Sequence, residues 1–260
     1  MNERVTELAQ RFVTSTPPVF DTVEEERRHR LERMAGTCRI FGKLGFSEGL
    51  LGHVTVRDPE HADRLWVNPL GISFNRIRAS DFVQVDHDGQ VIEGELPVNP
   101  VGLLLHSALH RARPDVAAMC HAHSTHGTAW SAFEMPLEPI TQDTCVFFED
   151  QAIIGEPRIV IDRAGADAWA AQFGQRRVAL HAGHGLFTTG GTIDEAGWWF
   201  IVLDKVCHVQ LLARAAGEHK VWPADDARSI RSALGSAQFG WLSFQTLWNE
   251  VCESDPDLFE

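Results

Sequence analysis

Apolar residues recur at intervals of three and four between Glu24 and Leu44 (Leu31, Met34, Ala35, Cys38, Phe41, Leu44), the spacing that lays one face of a helix on a core. Gly45 marks its end, because glycine adopts a helix-terminating backbone without steric cost. The period then shortens. Residues 50–58 (LLGHVTVRD) and 64–68 (RLWVN) are β-branched or aromatic and bounded by turn residues, so both read as strands. Asp88-Gly89 lies between alternating runs in FVQVDHDGQVIE and predicts a hairpin, hence an antiparallel sheet. From Pro100 to Arg113 a short amphipathic helix is expected, with proline in its first turn. Residues 116–121 (VAAMCH) suit a buried strand, followed by a helix over 122–133. Further strands are expected at 158–162, 177–181 and 184–189. Thr192 and Glu195 have capping-box spacing for a long helix through Trp198, Val202, Val206 and Leu212, closed by Gly217.

This pattern divides the chain into a polar arm over 1–22 with a Thr-Pro-Pro break, a domain over 23–217, and a partly helical tail over 218–260. With 260 residues, 44% of them hydrophobic, the chain can bury a full core. A formal charge of −13 argues against nucleic acid, whose binding needs a concentrated basic surface. No run approaches the ~18 apolar residues of a membrane helix, so no membrane partner is expected. MNERVTELAQRF has charges where a secretion signal would be apolar, and a cytoplasmic location is expected. The five cysteines are odd in number and contain no CxxC pair, which fits reduced thiols better than disulfides.

The candidate chemistry is concentrated in histidine. His121-Ala-His123 falls at the end of a predicted strand, where residues two apart share a face and two imidazoles can meet one ion. Two ligands hold an ion poorly, and His184 in HAGHGLFTTG follows a second apolar strand that can bring a third. Three neutral imidazoles with an open position suit a divalent transition metal: iron(II), zinc, manganese or cobalt. His126 is a weaker fourth candidate, and thirteen histidines also make close pairs by chance. His106 and His110, four apart on a helix, read as polar-face or interface residues.

The segments GFSEGLLGHVTVRD, WVNPLGISF, VDHDG, HSALHRARPDVAAMCHAHSTHGTAWS and HAGHGLFTTGGTIDEAGWWF, in this order over roughly residues 24–217, resemble the class II aldolase/adducin family. The resemblance implies an α/β fold: a three-layer α/β/α sandwich around a central, mostly antiparallel sheet. It also implies a homotetramer with active sites at subunit interfaces, and His121, His123 and His184 as metal ligands. The departures narrow the chemistry. Where sugar-phosphate aldolases of the family have a Gly-Asn turn, a Ser-Ser pair and a catalytic Glu, this chain reads Gly52-His53 and Pro100-Val101-Gly102. An Asn before the third histidine is replaced by Gly183. An aldol mechanism without its base loses about 10²–10⁴-fold, so other chemistry at the same metal is expected.

GHVTVRDPEH, WVNPLGISF and TQDTCVFFEDQA are similar to a branch of the family that contains clorobiocin- and novobiocin-pathway enzymes, which act as non-haem iron oxygenases. The resemblance implies C–C bond cleavage in a hydroxy- or keto-carboxylate, with iron(II) and O₂ as its sharpest form. A non-oxidative decarboxylase or aldolase and a non-catalytic adducin-like module are the alternatives. Glu149 and Asp150 are candidate catalytic acids, or acids at a strand end. His53 is a candidate for catalysis and for donating a hydrogen bond to a substrate carboxylate. Asn68 and Ser73 are candidate substrate contacts, with turn stabilisation as their alternative, and Glu48 reads as a solvated loop acid. Trp198, Trp199, Phe200, Trp222, Trp241 and Trp248 read as core packing before pocket lining.

Overall fold

The computed structural model describes residue 10, residues 12–155 and residues 158–260. Part of the expected arm, residues 1–9 and 11, lies outside the described residues.

Eight strands form one sheet in the order β4-β3-β2-β1-β5-β8-β7-β6. They are β1 (His53–Arg57), β2 (Arg64–Val67), β3 (Val83–Asp86), β4 (Val91–Glu93), β5 (Ala118–Ala122), β6 (Gln151–Ile154), β7 (Val178–His181) and β8 (Gly185–Gly190). Every neighbouring pair is antiparallel except β6–β7. The Asp88-Gly89 hairpin joins β3 to β4, with Gly89 at φ 83°.

Alternation along the strands gives the sheet two buried faces. On one face Val54, Val56, Ala118, Cys120, Leu186 and Leu180 meet helices α1 (Val23–Lys43) and α6 (Ile193–Ala216). On the other, Met119, Phe187, Ala179 and Ile154 meet α2 (Pro100–Ala112) and α5 (Arg163–Phe173). The result is the expected three-layer α/β/α sandwich. The remaining helices are α3 (Thr125–Ser131), α4 (Gln142–Cys145), α7 (Ala224–Leu234) and α8 (Ala237–Ser254). α8 buries Leu242, Phe244 and Val251 and packs on α1 and α6.

Local rules set most helix ends. Thr22 closes a full capping box with Glu25 on α1. Asn99 caps α2 ahead of Pro100. Thr192 accepts from the Glu195 amide as expected, but the Glu195 carboxylate turns to Gly191 N and to Trp199 Nε1.

Two expectations are corrected. The helix placed at 122–133 begins only at Thr125, because β5 stays paired through Ala122. No strand forms at 158–162. The strand in this region is β6, at 151–154, where β7 offers a parallel edge, and the loop beyond it leaves Ile159 and Ile161 at 76% exposure. No helix among the described residues is long and apolar enough to cross a membrane.

Candidate metal centre

Antiparallel pairing aligns His53 on β1 with His121 on β5, and His121 with Phe187 on β8, on the α2 side of the sheet. His121 stacks on Phe187 with ring centroids 3.9 Å apart. His123 follows the end of β5. The HAGHG turn between β7 and β8 returns His184 to the same place, with Gly183 at φ 61° and Gly185 at φ 141°. The left-handed backbone at 183 is one that asparagine also tolerates, so replacing the family's Asn by Gly183 preserves the turn.

His121, His123 and His184 each offer one ring nitrogen, and these atoms lie within 4.8 Å of one another. Hydrogen bonds fix two of the tautomers. His121 Nδ1–H donates to the Leu186 carbonyl at 2.8 Å, which leaves its buried Nε2 a lone pair without a protein partner. Trp169 Nε1–H donates to His181 Nδ1 at 3.3 Å, so His181 Nδ1 is an acceptor. His184 Nδ1 lies 3.2 Å from the same nitrogen, where as Nδ1–H it shares that one lone pair with Trp169 and keeps its own lone pair on Nε2. Burial pushes His184 down to about 3, His121 well below its ordinary value, and His123 downward. Neutral imidazoles with converging lone pairs, oriented from behind by a carbonyl and a second histidine, are the donor set a divalent transition metal requires. The residues fit such an ion.

The cluster opens into a cavity of about 320 Å³, lined also by His53, Leu50, Leu51, Val101, Gly102, Arg158, Ile159, Val160 and Phe187. Leu50, Leu51, Val101 and Ile159 are exposed at its mouth. His53 is 8% exposed and its ring is parallel to that of His121, 5.9 Å away. Burial, with His123 as a smaller cause, pushes its pKa down to about 4. A Cβ at Gly102 would lie 2.1 Å from His53 Nε2. The resemblance aligns Gly102 with the acid of sugar-phosphate aldolases, and here the His53 imidazole leaves no room for a side chain at that residue.

Other candidates are not brought here. Glu149 and Asp150 precede β6 at the end opposite Ile154, which pairs with His181, so roughly 13 Å of strand separates them from the histidines. Glu149 bonds Arg228, and Asp150 pairs with Arg231 and caps Arg177 N. A larger open hollow of about 880 Å³ adjoins these two acids, but the pairs already made satisfy their charges. Asn68 Oδ1 accepts from Val54 N at 2.8 Å and anchors β1. Ser73 Oγ meets Ser47 Oγ and accepts from Asn75 N, as a turn does. Neither Asn68 nor Ser73 lines the metal cavity. His126 turns away to Asp204 and stacks on His208, because the first turn of α3 carries it off the His123 side. His106 and His110 are fully buried on Thr55 of β1 rather than on a polar face. Trp199 is core, and no tryptophan lines the cavity. Sequence reasoning missed His181 and Arg158; the HxxH spacing of His181 and His184 carried the signal for the first, and Arg158 stood inside an expected strand.

A three-histidine pocket on the face of a mostly antiparallel α/β/α sandwich defines the class: an enzyme of the metal-dependent lyase type. Residues 32–211 match the family described as Class II Aldolase and Adducin N-terminal domain, and the chain belongs to that family. It is similar to Decarboxylase NovR of Streptomyces niveus, at 44% identity over 93% of this chain and 91% of that one. A 4-hydroxy-3-prenylphenylpyruvate oxygenase/4-hydroxy-3-prenylbenzoate synthase of Streptomyces roseochromogenus subsp. oscitans is also 44% identical, over 93% of this chain and 88% of the relative. Among solved structures, L-fuculose 1-phosphate aldolase from Glaciozyma antarctica PI12 superposes with a TM-score of 0.89 at 38% identity, covering 96% of this chain and 98% of that one.

Proposed function

We propose that the chain is a homotetrameric enzyme that cleaves a C–C bond of an aromatic hydroxy- or keto-carboxylate, most sharply as an iron(II)- and O₂-dependent oxidative decarboxylase. His121, His123 and His184 would hold the ion. Bound there, a divalent metal supplies Lewis-acid polarisation of the acid's oxygens and, as iron(II), a site for O₂. The observation that carries the reading is the lining of the cavity. Leu50, Leu51, Val101 and Ile159 offer apolar contact to a ring directly beside the three histidines. The two relatives at 44% identity carry names of the same chemistry.

An aldolase acting on a sugar phosphate is the second reading, favoured by the 38% identity to L-fuculose 1-phosphate aldolase. Against it stands Gly102, which has no room for a side chain beside His53. Metal analysis of protein purified without oxygen, followed by O₂ uptake and CO₂ release with phenylpyruvate, 4-hydroxyphenylpyruvate and mandelate, tests the proposal. Release of CO₂ with stoichiometric O₂ uptake supports the oxidative form, and CO₂ without O₂ supports a non-oxidative decarboxylase. Cleavage of L-fuculose 1-phosphate with no action on the aromatic acids would overturn both. Light scattering that gives a stable monomer would remove the tetramer.

A further inference from the structure

Strand β1 and helix α2 enclose three further imidazoles, His53, His106 and His110, whose hydrogen bonds have a direction fixed at one end. Arg57 Nη2 has two hydrogens, and the carbonyl oxygens of His110, Arg113 and Val116 all lie within 3.1 Å of it. It has none to spare for His110 Nδ1 at 3.3 Å. His110 Nδ1–H instead donates to the Val116 carbonyl, also at 3.3 Å. Burial pushes the pKa of His110 down to about 3, and the ring is neutral at pH 7 with its lone pair on Nε2. That lone pair accepts the Thr55 hydroxyl hydrogen at 3.0 Å. With its only hydrogen used, Thr55 Oγ1 accepts from His106 Nδ1–H at 2.8 Å. His106, fully buried and held neutral by that burial, is left with a lone pair on Nε2, which has no partner.

The His53 ring lies next in this line, with its centroid 5.9 Å from that of His106 and the planes at 68°. Both of its nitrogens are buried without partners. A buried acceptor on His106 calls for a hydrogen from His53, given directly after a small ring rotation. A neutral imidazole that gives away its one N–H has only a lone pair left. We infer that His53 presents a hydrogen-bond acceptor to the cavity, so that the bound acid must offer it a hydroxyl, as an α-hydroxy acid or the enol of a keto acid does. Thr55, His106 and His110 are positioning residues that set the polarity of His53. The donor role toward a substrate carboxylate, expected from sequence, is reversed. The identity of the ligand rests on the proposed function, whereas the tautomers do not.

Long-range ¹H–¹⁵N correlation spectra of the zinc-loaded protein, with histidine ¹⁵N-labelled and assigned through single His→Gln variants, read the tautomers directly. His106 and His110 are both expected as the Nδ1–H form, and Nε2–H on His106 would overturn the inference whatever reaction the protein catalyses. Calorimetry with mandelate and phenylacetate, which differ by the α-hydroxyl, reads the ligand. Mandelate is expected to bind more tightly, and about 5- to 10-fold of that preference, the worth of one neutral hydrogen bond, to vanish in His53→Phe. The isosteric Thr55→Val makes the same comparison without emptying the site, and is expected to release the His106 tautomer and weaken the preference. A preference unchanged in both variants overturns the role of His53. Absence of turnover with every acid would sink the proposed reaction while leaving the tautomers to be judged on their own.

Discussion

Gly102→Ala gives the sharpest test of how the cavity is built. Gly102 lies in the first turn of α2 and is not at positive φ, so its backbone has no need of glycine. What it lacks is space. An added Cβ would stand 2.1 Å from His53 Nε2, 2.2 Å from Cε1 and 2.4 Å from Cδ2, against an ordinary contact of 3.4 Å or more. The ring would have to retreat by about 1.3 Å (3.4 − 2.1), yet it is flanked by the parallel ring of His121 and by His106. Overpacking of this kind costs about 1–3 kcal/mol. Alanine in a helix contributes up to about 1 kcal/mol over glycine, so the net loss is about 0–2 kcal/mol. In a His53→Ala background the obstruction is gone, and the same substitution should stabilise by about 0.5–1 kcal/mol. Urea unfolding of the two single variants and the double variant measures the coupling, expected at about 1–3 kcal/mol. If Gly102→Ala stabilised both backgrounds equally, the steric account of the missing acid would be refuted.

Three further outcomes follow from the same contacts. His106 and His110 have pKa values lowered by burial, so below about pH 6.5 the unfolded chain takes up protons that the folded one refuses, and stability falls as pH falls. Each contributes about 1.4 kcal/mol per pH unit, or about 3 together, and unfolding of metal-free protein at pH 7.5, 6.0 and 5.0 that showed no slope would contradict the burial of both rings. Arg33, buried and stacked 3.8 Å over Trp248, is ion-paired with Asp194 at the start of α6. Asp194→Ala should cost about 3–5 kcal/mol in thermal or urea unfolding by leaving a buried guanidinium uncompensated, and a loss under 1 kcal/mol would show the pair to be dispensable. His123→Ala should abolish tight zinc or iron content by mass spectrometry while His126→Ala keeps it, because only the former ring points into the cluster; the reverse pattern would displace the site.

Much of the fold was legible because it is written in short-range rules. The three-four spacing of Leu31 to Leu44, the Asp88-Gly89 turn, Pro100 at a helix start and Thr192 as a cap each act within a few residues, and each feature formed. Residues 158–162 show where such rules stop. RIVID has the composition of a strand, but a strand needs a neighbour, and β7 pairs with 151–154 instead. The distance of Glu149 and Asp150 from the histidines has a related reason: their sequence position beside β6 says nothing of which end of the sheet faces the cluster. His106 and His110 at helical spacing look the same whether their face meets water or Thr55.

By itself the sequence determined the periodicities, the caps and the histidine pair at a strand end, since each depends on neighbours in the chain. Only the tertiary structure decided that residue 184 meets 121 and 123, that His53 fills the space left by Gly102, and that Val116 and Arg57 orient a line of imidazoles from the far end of β1. Those contacts join side chains tens of residues apart, through strand register and helix docking, and side-chain chemistry alone does not encode which surfaces will meet.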